Sequence, residues 1–316
     1  MSLMTLFSAP KSFADPRIAT IQNNALSSWS ELPDVEIFLM GEEEGISEAA
    51  VRVGARHLTG VRRNDRGTPL VSSMIHLARQ NSSSEMMCIV NADMIIMRDL
   101  PEAALNVAAC TRKYVLLSRR WDVSIDDPMD FSDGWEDRLR ERVRQCGELH
   151  RPAGSDFFLF PRKCYAEVPD FAVGRAGWDN WMIYRARQEG WPVIDCTPSV
   201  MIVHQNHDYG HLPGGAPHYS MPESNENIRL AGGDAAIRYT VLDATHCLNA
   251  GRLVRPPISC PRLMRGVELV LRAVFFFLPS HTIEELARPK RWKKRLTRML
   301  GKRNDKTDGP GEKATR

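Results

Sequence analysis

The sequence predicts an α/β protein built on a largely parallel sheet. Two observations carry that prediction. Short apolar runs alternate with segments of helical spacing from Met4 to about Val203, joined by short links. Residues able to do chemistry stand where apolar runs end, at Ser8 to Lys11 and at Asn91 to Asp93, and parallel sheets bind ligands outside the carboxyl ends of their strands. A chain of 316 residues that is 43% hydrophobic has enough apolar surface for one domain of ~250 residues plus appendages.

The elements follow in order. Met4–Ser8 is an apolar strand entering the turn Ser8-Ala9-Pro10. Pro16–Trp29 has helical spacing through Ile18, Ile21, Ala25, Leu26 and Trp29, with Asp15 as N-cap before Pro16. Val35–Met40 is a second strand, Ser47–Val53 a helix, and His57–Val61 a third short strand. Thr68-Pro69 opens another helix, whose apolar side carries Leu70, Met74, Ile75, Leu77 and Ala78. Met86–Val90 is a buried strand and Tyr114–Ser118 another, running into Arg119-Arg120-Trp121-Asp122. Trp135–Cys146 is a charged amphipathic helix, and Ser155–Phe160 a strand closed by Pro161. Asp179–Glu189 is a helix, followed by short strands at Val193–Ile194 and Val200–Val203. Beyond His204 the chain is loop-rich to about Asn225, and Ala235–Leu248 reads as a further helix.

Charge is unevenly spread. Arg288 to Arg316 carries 12 Lys/Arg against 3 Asp/Glu, so +9 of charge sits in the tail and the rest of the chain is −6. A net-acidic body argues against a nucleic-acid groove. The seven cysteines are dispersed, with no Cys-x-x-Cys pair, which fits a reducing, cytoplasmic compartment without structural zinc. The opening residues are too soon interrupted by Pro10 for a signal peptide, and no apolar run approaches the ~20 residues of a membrane span.

Three segments carry chemistry. At Asn91-Ala92-Asp93 two polar side chains straddle an alanine at a strand end, where a carboxylate can ligate Mg²⁺ or Mn²⁺. The structural alternative is that Asp93 caps the segment Met94–Leu100. Asp99 lies a further turn away. At Gly177-Trp178-Asp179-Asn180, Asp179 is placed to N-cap the next helix, and its setting between Trp178 and Trp181 favours a raised pKa suited to a general base. Trp178 could stack on a sugar face, whereas Trp181 reads as core. The third segment crowds His204, His207, Asp208 and His211 into eight residues. His-x-x-His is a zinc spacing, but no cysteine lies beside it in sequence. A single histidine joining Asp93 fits better: His204 first, because it follows an apolar strand directly, then His207. Together the segments suggest a metal-dependent transferase.

Their order resembles the GT-A glycosyltransferases, above all inverting members such as the β-1,4-galactosyltransferases. In those a Gly-Trp-Gly-Gly-Glu-Asp segment carries the base and a later histidine completes the metal site. The resemblance covers about Met4 to Tyr209 and implies a GT-A, Rossmann-like nucleotide-diphospho-sugar transferase fold. It implies Mn²⁺ or Mg²⁺ held by Asp93, His204 and Asn91, with Asn91 standing where an aspartate is usual. It makes Asp179 the base. The stretch with Phe7, Ser8, Pro10 and Lys11 would meet the nucleotide, helped by Arg66, with Arg62 and Arg63 as further cations. Gly154, Ser155, Asp156, Trp178 and His207 would line the acceptor pocket. The partners implied are a nucleotide-sugar donor and a glycan or lipid-linked acceptor. One rival is a nucleotidyltransferase, which would show a Gly-rich phosphate loop where Phe7–Lys11 lacks glycine. The other is a degenerate, membrane-bound scaffold, motivated by Asn91.

The expected layout is a catalytic domain at 1–250, a helical extension at 251–303 and a disordered tail at 304–316. Leu263–Leu278 is apolar with Arg265, Glu268 and Arg272 interspersed, and the basic stretch Lys290–Arg303 follows. That pairing reads either as an in-plane anchor on an anionic membrane, at its cytoplasmic face, or as a helix packed on the domain.

Overall fold

The computed structural model describes residues 2–207 and 221–274. Its contacts divide the chain into two units, with the boundary between Pro256 and Pro257. The first unit is an α/β body. In chain order it contains β1 (Met4–Ser8), α1 (Pro16–Ser30), β2 (Val35–Met40), α2 (Ile46–Val53), β3 (Arg56–Leu58), α3 (Val71–Asn81), β4 (Met86–Val90), β5 (Met94–Ile95) and α4 (Asp99–Ala108). Next come β6 (Val115–Leu117), β7 (Arg120–Val123), α5 (Trp135–Cys146), β8 (Glu148–Leu149), β9 (Phe157–Pro161) and α6 (Trp178–Gln188). It ends with β10 (Val193–Asp195), β11 (Ile202–Gln205), α7 (Pro222–Leu230), β12 (His246–Asn249) and β13 (Arg252–Val254). The second unit contributes α8 (Cys260–Val274).

The main sheet has the order β13-β12-β10-β6-β9-β4-β1-β2-β3. β1 pairs in parallel with both β2 and β4, while β9 runs antiparallel between β4 and β6. The central strands β4, β6 and β9 are apolar and buried because both faces are covered. In β1, Met4 and Leu6 join the cluster under α1, α2 and α4, while Phe7 joins the cluster under α3 and α6. β4 divides the same way, Cys88 and Val90 to one face and Met87 and Ile89 to the other. The chain turns outward from β1 to β2 and β3, then returns to place β4 on β1's other side. The carboxyl ends of β1 and β4 therefore flank a point where strand order reverses, the crevice that α/β sheets use for ligands.

A second sheet, β5-β11-β7-β8, is small and was not among the elements expected from sequence. α1 steadies its first strand. The indole N–H of Trp29 donates to the Met94 carbonyl at 2.8 Å, and Ser28 Oγ accepts from the Ile96 amide at 3.1 Å. α1 itself starts as expected, with Asp15 accepting from the Arg17 and Ile18 amides.

Several expectations need correction. Ala235–Leu248 is not a helix: two short 3-10 turns, Ala236–Arg238 and Val241–Asp243, lead into β12. Thr240 caps the second turn reciprocally with Asp243, and β12 is claimed by pairing with β10 and β13. The helix expected from Thr68 begins only at Val71, α4 fills a stretch to which no element was assigned, and α7 begins inside the segment expected to be loop-rich. The segment after Asp93 is β5, so Asp93 is not a helix cap; Asp99 opens α4 and accepts from Arg140 and the Met201 amide, both at 3.0 Å. The residues 290–303 and 304–316, and Phe275–Phe277, lie outside the described residues.

Candidate metal centre and active site

The small sheet lines up four titratable side chains on neighbouring strands. Asp93 immediately precedes β5, His204 lies on β11 opposite both Met94 and Asp122, Asp122 lies on β7, and His150 directly follows β8. Read across the sheet, acid and imidazole alternate. His204 Nδ1–H donates to Asp122 Oδ1 at 3.0 Å, and His150 Nδ1–H donates to Asp122 Oδ2 at 2.6 Å. Tying Nδ1 to a carboxylate leaves His204 Nε2 facing Asp93, 3.8 Å from Oδ2. His207, two residues beyond β11, brings its Nε2 to 3.1 Å from the same oxygen.

Asp93, His204 and His207 thus converge, with ligand atoms all within 4.8 Å of one another. Their side chains retain 21%, 11% and 12% exposure, enough to face a cleft and too little to be freely solvated. Asp93 Oδ1 is buried without a hydrogen-bond partner. An orphaned carboxylate oxygen beside two imidazole nitrogens is what a divalent cation would satisfy. The donor set fits the group expected from sequence. Burial pushes the Asp93 pKa up, but the His207 hydrogen bond, the charges of His204 and His207, and Lys11 outweigh it and hold the carboxyl well below its ordinary range.

Gln205 locks this geometry from beneath. It is fully buried, and its amide nitrogen donates to the carbonyls of Ile21 at 2.8 Å and Asp93 at 3.2 Å. Its oxygen accepts from Asn24 at 3.0 Å. Replacing Gln205 by Leu strands these groups without water. We expect a loss of about 2–3 kcal/mol in urea unfolding, together with weaker cation binding because the Asp93 backbone is released.

A second cluster adjoins the first. Arg120 donates to Asp122 at 2.9 Å and to Asp156 Oδ2 at 2.6 Å, joining the two acids. Asn91 donates its side-chain amide to Asp156 Oδ1 and its backbone amide to the Asp156 carbonyl, both at 2.9 Å. The expected ligand Asn91 is thereby bound to the start of β9, and Asp156 is occupied in positioning it. Asp179 is close enough to Asp156 to feel its charge. Burial first, and that like charge, push the Asp179 pKa up to about 6 against opposing backbone hydrogen bonds. Asp179 is not the N-cap. Gly177 is, at φ 107°, a conformation that favours glycine, and a Cβ there would crowd Ile237 Cγ2 at 3.2 Å. Asp179 lies instead in the first turn of α6, where the helix dipole favours a carboxylate.

Cations stand on the β1 side. Gln22 of α1 clamps the Lys11 backbone with hydrogen bonds at 2.6 and 2.9 Å. The Lys11 pKa is lowered by desolvation, with Asp93 opposing and Arg175 adding to the fall. Arg175 is held at 2.7 Å by the buried Glu223 of α7, which also accepts from Asn64 and Thr68. Lys11 and Arg175 form a positive flank beside Asp93.

Other expected residues are placed differently. Phe7 and Ser8 are buried at 0% and 2% exposure, within the sheet rather than on a nucleotide surface, and Pro10 is buried too. Trp178 is 4% exposed and packs edge-on against Phe158 with ring centroids 5.6 Å apart, so no face is open to a sugar. His207 lies beside Asp93 and His204, in the group that could hold a metal ion. Arg62 is paired with Asp170 and Arg63 with Glu43, while Arg66 is exposed on the same loop. Gly154 provides a left-handed turn at φ 82°, and Ser155 is buried beside Asp156. Asp208 and His211 lie outside the described residues.

Sequence reading missed Asp122, His150, Arg120, Arg175 and Gln205. The alternation of Arg120 and Asp122 with Trp121 and Val123 was a strand signal, but their partners lie far along the chain, Asp122 82 residues from His204.

No family model matches the chain, and no curated protein matches it. Among solved structures it is similar to glucosyl-3-phosphoglycerate synthase from Mycobacterium tuberculosis in complex with Mn²⁺, uridine diphosphate and phosphoglyceric acid. The identity is 14% and the TM-score 0.45, covering 74% of this chain and 79% of that one. It is also similar to S. aureus TarS in complex with UDP-GlcNAc, at 12% identity and a TM-score of 0.47, over 73% of this chain and 65% of that one.

Proposed function

We propose that this chain is a metal-dependent glycosyltransferase of the GT-A kind, moving a sugar from a nucleoside-diphosphate donor to a hydroxyl of a glycan or lipid-linked acceptor. The observation that carries the reading is the convergence of Asp93, His204 and His207, with the buried Asp93 Oδ1 unpartnered, next to the strand-order reversal between β1 and β4. Asp93, His204 Nε2 and His207 Nε2 would hold Mn²⁺ or Mg²⁺. When bound, such a cation neutralises the charge that develops on a leaving diphosphate. Lys11 and Arg175 add fixed positive charge against the phosphates. Asp179 accepts the proton of the acceptor hydroxyl as its oxygen attacks the anomeric carbon and the nucleoside diphosphate leaves, a single displacement with inversion. A pKa near 6 leaves Asp179 mostly ionised at neutral pH while keeping it basic enough to take that proton. Arg120 and Asn91 hold Asp156 beside it.

Incubation with UDP- and GDP-sugars and Mn²⁺, following nucleotide release to water or acceptor, tests the reading. Release that stops with chelator is the expected result. The reading fails when no donor is turned over or bound.

We infer further that the protein associates with an anionic membrane surface, a reading supported by α8. Leu263, Val267, Val270 and Val274 recur on one helical face and are 45–63% exposed, whereas Arg265 and Glu268 are 5% and 1% exposed and paired at 2.9 Å. The helix thus has an exposed apolar face, and the +9 stretch Arg288–Arg316 follows in sequence, a pairing that suits an anionic bilayer. No helix among the described residues is long and apolar enough to cross a membrane. Full-length protein should float with phosphatidylserine vesicles and lose this in Val267→Asp/Val270→Asp. Equal flotation of both, or of neither, contradicts the assignment.

A further inference from the structure

Resting on the metal-centre reading above, we propose that Asp122 is a positioning residue that fixes the ring and tautomer of His204. In doing so it makes the centre select a transition cation such as Mn²⁺ over Mg²⁺. The case is geometric. Asp122 has both carboxylate oxygens committed, Oδ1 to His204 and Arg120 and Oδ2 to His150. Parallel pairing of β11 with β7 sets Asp122 in register with His204, so the two side chains leave the same face of the small sheet on neighbouring strands. A carboxylate can only accept, so the His204 proton is drawn to Nδ1 and the lone pair stays on Nε2, towards Asp93. His150, held by its own backbone amide on the Arg120 carbonyl at 2.9 Å, and Arg120 prevent Asp122 from turning away.

The selectivity follows from the donor count. Mg²⁺ prefers an octahedron of oxygens and retains its waters, so it draws little from an imidazole. Transition cations gain from each ring nitrogen and rise along the Irving–Williams order. Among the described residues the cluster offers two imidazoles and one carboxylate, a donor set richer in nitrogen than Mg²⁺ prefers. A carboxylate behind a ligating histidine orients the ring and raises its basicity, and losing such a partner lowers metal affinity about 10–100-fold.

The experiment is calorimetric titration of metal-free, full-length protein with Mn²⁺ and Mg²⁺ alone. Wild type, Asp122→Asn and Asp93→Ala are compared, with folding checked by circular dichroism. Wild type should bind Mn²⁺ at least about tenfold tighter than Mg²⁺. Asp122→Asn should weaken Mn²⁺ about 10–100-fold and leave Mg²⁺ nearly unchanged, narrowing the ratio. General damage to the site would lower both together, and that result, or unchanged Mn²⁺ binding, overturns the proposal. Should Asp93→Ala bind both metals as wild type does, the metal centre itself is wrong; should it lose them while Asp122→Asn does not, only the role of Asp122 falls. Nitrogen-15 correlation spectra of the wild-type rings give an independent readout if Asp122→Asn does not fold. His204, assigned through its loss in His204→Gln, should carry its proton on Nδ1, and an Nε2–H tautomer overturns the inference.

Discussion

Asp93→Ala is expected to abolish divalent-cation binding and to lower sugar transfer by about a thousandfold or more, equivalent to about 4 kcal/mol of transition-state stabilisation. Asp93 is the one carboxylate among the three groups that converge, so its removal leaves two imidazoles with no anion to hold the cation. Its Oδ1 is buried without a partner, which costs stability in the metal-free protein and is relieved when a cation binds. Asp93→Asn separates shape from charge: it keeps the hydrogen-bonding outline facing His207 but removes the anion, and it should fail nearly as completely. Donor turnover and Mn²⁺ titration on the same preparations check both variants. Full activity in either would mean that Asp93 is structural.

Asp179→Asn should lower turnover about 10²–10⁴-fold while leaving cation and nucleotide binding intact, since the residue acts on the acceptor hydroxyl. Wild-type turnover should rise with pH through about 6 and then level, because only the ionised carboxylate can take a proton. The same residue predicts an opposite effect on stability. A carboxyl whose pKa is raised on folding favours the folded state below its unfolded value near 4. That contribution is lost as pH rises through 6. At pH 7–8 the native protein therefore carries a buried charge that asparagine does not. Asp179→Asn should unfold at higher temperature there, by at most about 3 kcal/mol, with the gain vanishing below pH 4. Lower activity together with higher stability distinguishes a base from a packing residue, whose loss would lower both. Thermal melts at pH 4 and 7.5 supply the comparison.

Local pattern was enough where an element is set by its own residues. β1, β2, β4 and α5 end where composition says, because strands covered on both faces are continuously apolar and α5 has a clear polar side. It failed where pairing decides. β5 and β8 have two residues each and exist only through β11 and β7. Ala235–Leu248 has helical composition, yet a Thr240–Asp243 capping box and the edge of β10 divide it. At the candidate site, the proximity of Asp93 and His204 was legible because each stands at the end of an apolar run. Asp122 and His150 were not, since their meaning lies in cross-strand register. Phe7 was assigned to the nucleotide by the resemblance and Trp178 to a sugar face because aromatic rings stack there, but burial within β1 and packing under α6 claim both for the core.

The central claim is that the Asp93–His204–His207 cluster couples a cation to a nucleoside diphosphate. Calorimetric titration of wild-type protein with UDP, GDP and CMP, each with and without Mn²⁺, tests it most directly. One diphosphate is expected to bind only when Mn²⁺ is present, and Asp93→Ala to abolish this. Nucleotide binding indifferent to Mn²⁺, or no binding of any of the three, would contradict it.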